Sequence, residues 1–142
     1  MTRLIIKWQR LVDKDGVTCK RCGNTGDELE KAFFKLREAL GILGFQIELE
    51  QQTITIDDFK KDPLSSNMIL INDKPLEEWL GGKTGKSTCC DVCDGFECRT
   101  LEIGNKVYEA IPASMIIKAG LVAAADSLPV GKSQAINILK EV

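Results

Sequence analysis

The chain contains no histidine among its 142 residues. Without imidazole there can be no Cys–His or Ser–His–Asp catalytic arrangement built from its own side chains. The same absence removes the commonest nitrogen ligand for metals, so a transition-metal site would have to consist mainly of thiolates. The sequence therefore excludes the hydrolase and metalloenzyme classes that depend on histidine.

Long apolar runs and an excess of charge are also missing. The opening MTRLIIKWQR is interrupted by Lys7 and is too short for a secretory signal, and ALGILGF is too short to cross a bilayer. The 19 basic and 21 acidic residues are scattered and leave a net charge of −2. We therefore expect no nucleic-acid partner and no membrane partner, and a cytoplasmic location in which thiols stay reduced.

The length and the hydrophobic pattern predict one α/β domain over residues 1–142. Residues 3–12 alternate like a buried strand, and the capping box Thr25–Glu28 predicts a helix that begins after Thr25 and ends near Gly41. The remaining predicted elements are a strand at 45–52, a short helix at 55–63 capped by Thr55, a buried strand at 65–72, a strand or helical turn at 75–80, an irregular loop at 81–98, a hairpin around Gly104-Asn105 and a helix from Pro112.

Two conspicuous groups of side chains are interpreted as structural. Trp8 and Trp79 are large aromatics, which lie in protein cores more often than in sites. Glu77 and Glu78 are adjacent and would point apart on a helix or strand, so we interpret them as solvated charges rather than as an acid–base pair.

Six cysteines are present, in two groups. The first is Cys19 and Cys22, in T-C-K-R-C-G. Two residues between cysteines is the spacing of a reducible disulfide, and Lys20 and Arg21 would favour a thiolate there. The same spacing, followed by glycine, also suits a metal-binding turn. A third interpretation is a pair of partly buried thiols without a chemical role.

The second group, Cys89, Cys90, Cys93 and Cys98, lies in a cysteine-rich insert at about 81–99. Cys90 and Cys93 repeat the two-residue spacing, so together with Cys19 and Cys22 they could form a Cys₄ site, for which zinc is the indicated cofactor. The group could instead bind a metal alone, hold a soft metal or metalloid, relay electrons through disulfides, or cross-link the insert.

The stretch SSNMILINDKPLEEWLGG resembles the third strand and hairpin of a glutaredoxin, and Cys19 and Cys22 follow the first strand, where that fold keeps its redox motif. The chain is also similar to an uncharacterised prokaryotic family in which TC-x-x-C, SN-x-ILIN and CC-x-x-C…CRT occur together. The resemblance implies a thioredoxin-like mixed sheet flanked by helices, with the insert and an extra hairpin before the last helix. Where the thioredoxin family has a cis-proline, this chain has Ser66-Asn67.

These observations favour a thiol–disulfide oxidoreductase acting on an unidentified thiol or disulfide partner protein. The resemblance implies that Cys19 attacks and that Cys22 resolves the mixed disulfide, and strand order predicts that the second cysteine group lies near this pair. One alternative is a non-enzymatic zinc or soft-metal protein that uses Cys19, Cys22, Cys90 and Cys93. Another is an interaction module with a cross-linked insert.

Overall fold

The structure is a computed structural model that describes residues 2–88 and 96–128. Over these residues the fold is mixed α/β, with two sheets and four α-helices. A single 3₁₀ turn, Pro63–Ser65, precedes the third strand. In chain order the elements are β1 (Thr2–Leu11), α1 (Lys20–Gly41), β2 (Phe45–Ile54), α2 (Ile56–Lys61), β3 (Met68–Ile71), β4 (Lys74–Pro75), α3 (Leu76–Leu80), β5 (Lys83–Thr88), β6 (Glu97–Ile103), β7 (Lys106–Tyr108) and α4 (Ala113–Asp126).

The first sheet has the strand order β2-β1-β3-β4. Strands β1 and β2 are parallel and are joined through α1, because parallel neighbours need a crossover connection. Strand β3 runs antiparallel to both β1 and β4. The alternation predicted for β1 is observed, since Leu4, Ile6 and Trp8 are buried on one face.

Helices α1 and α4 pack against each other beside this buried face. A Cβ atom on Gly120 of α4 would lie 2.6 Å from Leu36 Cδ1 of α1, so glycine allows the close approach of the two helices. On α1, Gly26 lies against the ring of Trp8, where a Cβ atom would come within 2.5 Å of Cη2. None of the helices in the described ranges is both long and apolar enough to span a membrane.

We expect Gly26→Ala to lower the free energy of unfolding by about 1–3 kcal/mol, because the added methyl group overpacks against Trp8. Gly23→Ala is the matched control on the same helix, since its Cβ would have no neighbour closer than 3.9 Å. That control should be neutral or stabilise by up to about 1 kcal/mol through helix propensity. Urea denaturation of both variants checks the prediction, and equal effects would contradict it.

The second sheet corrects the prediction of an irregular loop at 81–98. Its order is β5-β6-β7, all antiparallel, and Ser87 pairs with Cys98 in the β5–β6 register. Strand β5 is polar and largely exposed, so it lacks the apolar alternation by which a strand is recognised. The predicted hairpin around Gly104 is confirmed as the turn between β6 and β7.

The start of α1 is a second correction. The helix begins at Lys20 rather than after Thr25, because both side chains of the supposed capping box make tertiary hydrogen bonds. The Thr25 hydroxyl accepts from the Ile111 N–H at 3.0 Å, and the Glu28 carboxylate accepts from the Ala113 N–H at 3.2 Å. A bond from Lys31, and then the one from Ala113, hold the pKa of Glu28 below its ordinary value. Glu28 thus satisfies an N–H at the start of α4 instead of capping α1.

Other predicted boundaries agree with the structure. Thr55 caps α2 by accepting a hydrogen bond from the Asp58 N–H at 3.2 Å. The segment 75–80, which the sequence left open between strand and helix, contains both: Pro75 ends β4 and α3 follows directly. Pro112 precedes α4, as predicted.

Candidate functional site

The first cysteine pair lies in the first turn of α1. Cys19 is the N-cap residue, with extended backbone angles, and Lys20 is the first helical residue, so Cys22 is the third. No loop therefore separates Cys22 from the helix, contrary to the predicted start after Thr25. An anion at this position is favoured, because the first N–H groups of a helix have no intrahelical partner and the helix dipole is positive there.

The two cysteines approach each other to 3.9 Å and are not joined by a disulfide. Both are buried, with exposed fractions of 6% for Cys19 and 0% for Cys22. The pKa of Cys22 is raised, first because its thiol is hydrogen bonded to Cys19 and second because burial penalises the thiolate. Cys22 therefore keeps its proton while Cys19 accepts the hydrogen bond.

Two hydroxyl groups lie beside this dithiol. Ser66 Oγ is 3.5 Å from Cys22 Sγ and also accepts a hydrogen bond from the Leu11 N–H at 2.9 Å. Thr18 Oγ1 donates to the Leu11 carbonyl at 2.8 Å. Both hydroxyls act to lower the pKa of Cys22, but less than the bond to Cys19 and burial raise it. Ser66 is the residue that the resemblance places where the thioredoxin family has a cis-proline.

Arg21, between the two cysteines, joins α1 to the second sheet. Its side chain is buried, and Nη2 donates to the Thr88 carbonyl at 2.9 Å and to Ser87 Oγ at 3.0 Å. Nη1 lies 3.4 Å from the carbonyl oxygen of Cys98. Glu109 supplies the counter-charge, at 2.8 Å from Nη2. One guanidinium group therefore holds the end of β5 and the start of β6 against the first turn of α1.

These contacts concern the insert that carries the second cysteine group. Cys98 is buried in β6, and Thr88 and Cys98 lie on either side of residues 89–95 along the chain. Cys89, Cys90 and Cys93, which were predicted as relay or metal-binding residues, lie outside the described residues. Thr88 and Cys98, which lie on either side of this segment, both contact Arg21 through their carbonyl oxygens.

Asn67 is a part of the site to which the sequence analysis assigned no role. It is buried, has a left-handed backbone with φ +59°, and donates from Nδ2 to the Glu109 carbonyl at 2.8 Å. Asparagine tolerates this region better than most residues do. Its neighbour Ser66 is thereby placed against Cys22. The presence of Ser66-Asn67 in place of a cis-proline was the sequence signal that pointed here.

Among residues 2–88 and 96–128, no three His, Cys, Asp or Glu side chains are grouped so as to hold a metal ion. Cys19 and Cys22 could supply two thiolate ligands. A complete four-ligand site would need additional donors from outside the described residues.

The structure agrees with the interpretation of the two tryptophans but not with that of Glu77. Trp8 and Trp79 are buried core residues, as expected, and Trp79 Nε1 donates to the Ile71 carbonyl at 2.9 Å. The interpretation of Glu77 as a solvated charge is wrong. Its side chain is 7% exposed and forms an ion pair of 2.7 Å with the buried Arg99 of β6.

The fold and the site define a mixed α/β protein with a buried dithiol at the N-terminus of its first long helix. The chain belongs to the domain-of-unknown-function family DUF2703, whose model matches residues 4–120. It is 44% identical over 114 residues to an uncharacterized protein of Archaeoglobus fulgidus, an alignment that covers 80% of this chain and 82% of that protein. These matches confirm the expected membership in an uncharacterised family. No solved structure matches the chain.

Proposed function

We propose that the protein is a thiol–disulfide oxidoreductase with Cys19 and Cys22 as its redox pair. The observation that carries the proposal is the position of both cysteines in the first turn of α1, 3.9 Å apart. Disulfide sulfurs are about 2.05 Å apart, so a small movement of this turn would close the bond. The thiolate is the reactive form of cysteine, and a helix N-terminus favours this form because it lowers the pKa of the thiol.

The arrangement of elements supports a thioredoxin-like fold for this function. The cysteine pair follows β1 and opens the crossover helix to the parallel strand β2. The antiparallel hairpin β3–β4 comes from the stretch of sequence that resembles a glutaredoxin. Strands β5, β6 and β7 form the second sheet, and α4 follows them along the chain.

The asymmetry of the pair supports different roles for the two cysteines. Cys19 accepts the hydrogen bond from Cys22, and it is the less buried of the two cysteines. Both features support Cys19 as the attacking thiolate, which would form a mixed disulfide with a thiol or disulfide partner protein in the reducing cytoplasm. Cys22, protonated until that step, would then resolve the intermediate.

The second cysteine group extends the same proposal. Arg21 binds the chain on both sides of residues 89–95, so Cys89, Cys90, Cys93 and Cys98 are candidates for passing the disulfide onward. Such a relay would proceed by successive thiol–disulfide exchange.

A specific distance also favours a second candidate function, binding of zinc or a soft metal ion. Two sulfurs on one tetrahedral zinc, with Zn–S bonds of about 2.3 Å, lie about 3.8 Å apart. The observed separation of Cys19 and Cys22 is 3.9 Å. Cys90 and Cys93 would be the other two ligands of this alternative.

Metal content and thiol count, measured together on anaerobically purified protein, separate these functions. A redox protein should contain no stoichiometric metal, and all six thiols should react after unfolding. Mild oxidation should then convert Cys19 and Cys22 into a disulfide found by peptide mapping. One zinc per chain with about four protected thiols would instead establish the metal protein. Thiols that neither oxidise nor bind metal would leave the interaction module as the remaining interpretation.

A further inference from the structure

Ser66 is fully buried two residues before the start of β3 and contacts both β1 and the dithiol. It follows the 3₁₀ turn Pro63–Ser65 and has an extended backbone. A buried hydroxyl group carries one donor hydrogen and can accept hydrogen bonds through its oxygen.

The proton positions follow from the partners. The Leu11 N–H can donate but not accept, so Ser66 Oγ is the acceptor of that bond. Ser66 Oγ lies 3.5 Å from Cys22 Sγ and acts to lower the pKa of Cys22, as a hydroxyl that donates to the sulfur does, so we assign the hydroxyl hydrogen of Ser66 to this contact. Cys22 has one S–H, which is directed to Cys19. The result is a chain of donors that runs from a β1 amide through Ser66 and Cys22 to Cys19.

We propose that Ser66 is the positioning residue of the redox pair, acting through Cys22 on both steps of disulfide exchange. This inference rests on the proposed oxidoreductase function. Before attack, the Ser66 hydroxyl polarises the Cys22 thiol and so strengthens its bond to the Cys19 thiolate, because hydrogen bonds in a chain reinforce one another. During resolution, the same hydroxyl stabilises the negative charge that develops on Cys22.

The two steps of disulfide exchange can be written with glutathione disulfide as the substrate. The Cys19 thiolate attacks one sulfur of glutathione disulfide, forming a mixed disulfide and releasing a glutathione thiolate. Cys22 loses its proton to that thiolate, attacks Cys19 Sγ and releases the second glutathione. Two protein thiols are oxidised and one disulfide is reduced to two thiols. Ser66 is bonded to the sulfur that must become a thiolate in the second step.

The first experiment measures the release of glutathione from the Cys19 mixed disulfide in the full chain. Trypsin cleaves after Lys20 and Arg21 and puts Cys19 and Cys22 in different peptides, so mass spectrometry assigns each disulfide. Ser66→Ala should slow the release at least about tenfold, the effect of losing one hydrogen bond to a thiolate. Ser66→Thr, which keeps the hydroxyl group, should restore most of the rate.

A double-mutant comparison distinguishes a positioning role from a structural one. Ser66→Ala should slow alkylation of Cys19 by iodoacetamide several-fold when Cys22 is present. In a Cys22→Ala background the same substitution should have no effect, because the chain of donors is already broken. A merely structural role would reduce Cys19 reactivity equally in both backgrounds.

Ser66→Gly is the second hydroxyl-free variant if Ser66→Ala does not fold, because it leaves room for a water molecule to meet the Leu11 N–H. Release at the wild-type rate from a folded hydroxyl-free variant would overturn the inference and leave the oxidoreductase function intact. Failure of the wild-type protein to form any mixed disulfide at Cys19 would overturn the proposed function itself. Loss of release in Ser66→Thr to the level of Ser66→Ala would also overturn the inference.

Discussion

Replacing Glu77 by glutamine is expected to lower the free energy of unfolding by about 3–5 kcal/mol. Glu77 lies in α3 and pairs with Arg99 of β6 at 2.7 Å, and both side chains are at most 10% exposed. The amide keeps the shape of the carboxylate but removes its charge, so the Arg99 guanidinium remains buried without a counter-ion. A buried uncompensated charge is among the most destabilising single changes.

Glu78→Gln is the matched control, because the adjacent glutamate of the same helix is exposed. It should change the free energy of unfolding by less than about 0.5 kcal/mol. The double variant Glu77→Gln with Arg99→Met should recover part of the loss, since an apolar side chain can replace a buried ion. Urea denaturation measures all three variants. A loss below about 1 kcal/mol for Glu77→Gln would contradict the burial of this pair.

Arg99 is also bonded to the Leu64 carbonyl at 2.7 Å, so the ion pair fixes β6 against the segment that leads to Ser66. The neighbouring residue in β6 is Cys98, whose carbonyl oxygen meets Arg21. Unfolding of β6 in the Glu77 variant should therefore disturb the site as well as the second sheet. Amide exchange of β5 and β6 would show this effect directly.

The second large effect is expected on the reduction of glutathione disulfide when either cysteine of the pair is replaced by serine. Cys22→Ser should trap a mixed disulfide between Cys19 and glutathione and should slow the release of the second glutathione by about a hundredfold or more, because in the proposed mechanism the neighbouring thiol attacks intramolecularly. Cys19→Ser should abolish turnover without trapping any intermediate, because Cys22 is fully buried and is the protonated partner.

The two serine variants serve as controls for each other, since each removes one sulfur from the same turn of α1. Mass spectrometry of the intact chain detects the trapped adduct, and chromatographic quantification of reduced glutathione measures a single turnover of the reduced protein. Trapping on Cys22 in the Cys19→Ser chain would reverse the assigned roles. Equal turnover in both variants and the wild-type protein would exclude this pair as the redox centre.

Strongly periodic segments were predictable from the sequence alone. The alternation of Leu4, Ile6 and Trp8 located β1, and Thr55 correctly marked the start of α2. Gly104 marked the β6–β7 turn because two-residue turns favour residues that tolerate a positive φ. The absence of histidine and the spacing of Cys19 and Cys22 are likewise properties of the sequence, and they restrict the expected chemistry to thiols.

The tertiary structure decided the features that depend on distant partners. Thr25 and Glu28 have the spacing of a capping box. Instead of capping α1, they accept hydrogen bonds from the N–H groups of Ile111 and Ala113. The helix begins earlier, next to the cysteines. Strand β5 has no apolar pattern and exists because β6 pairs with it.

The burial of charged side chains was likewise decided by the tertiary structure. Glu77 and Glu78 are indistinguishable in the sequence, yet one is buried against Arg99 and the other is exposed. Local periodicity and composition therefore predicted most of the elements of this protein and restricted its expected chemistry to thiols. The long-range hydrogen bonds and ion pairs of the folded chain determined where α1 begins and which charge is buried, because no local pattern encodes a partner that lies far away along the chain.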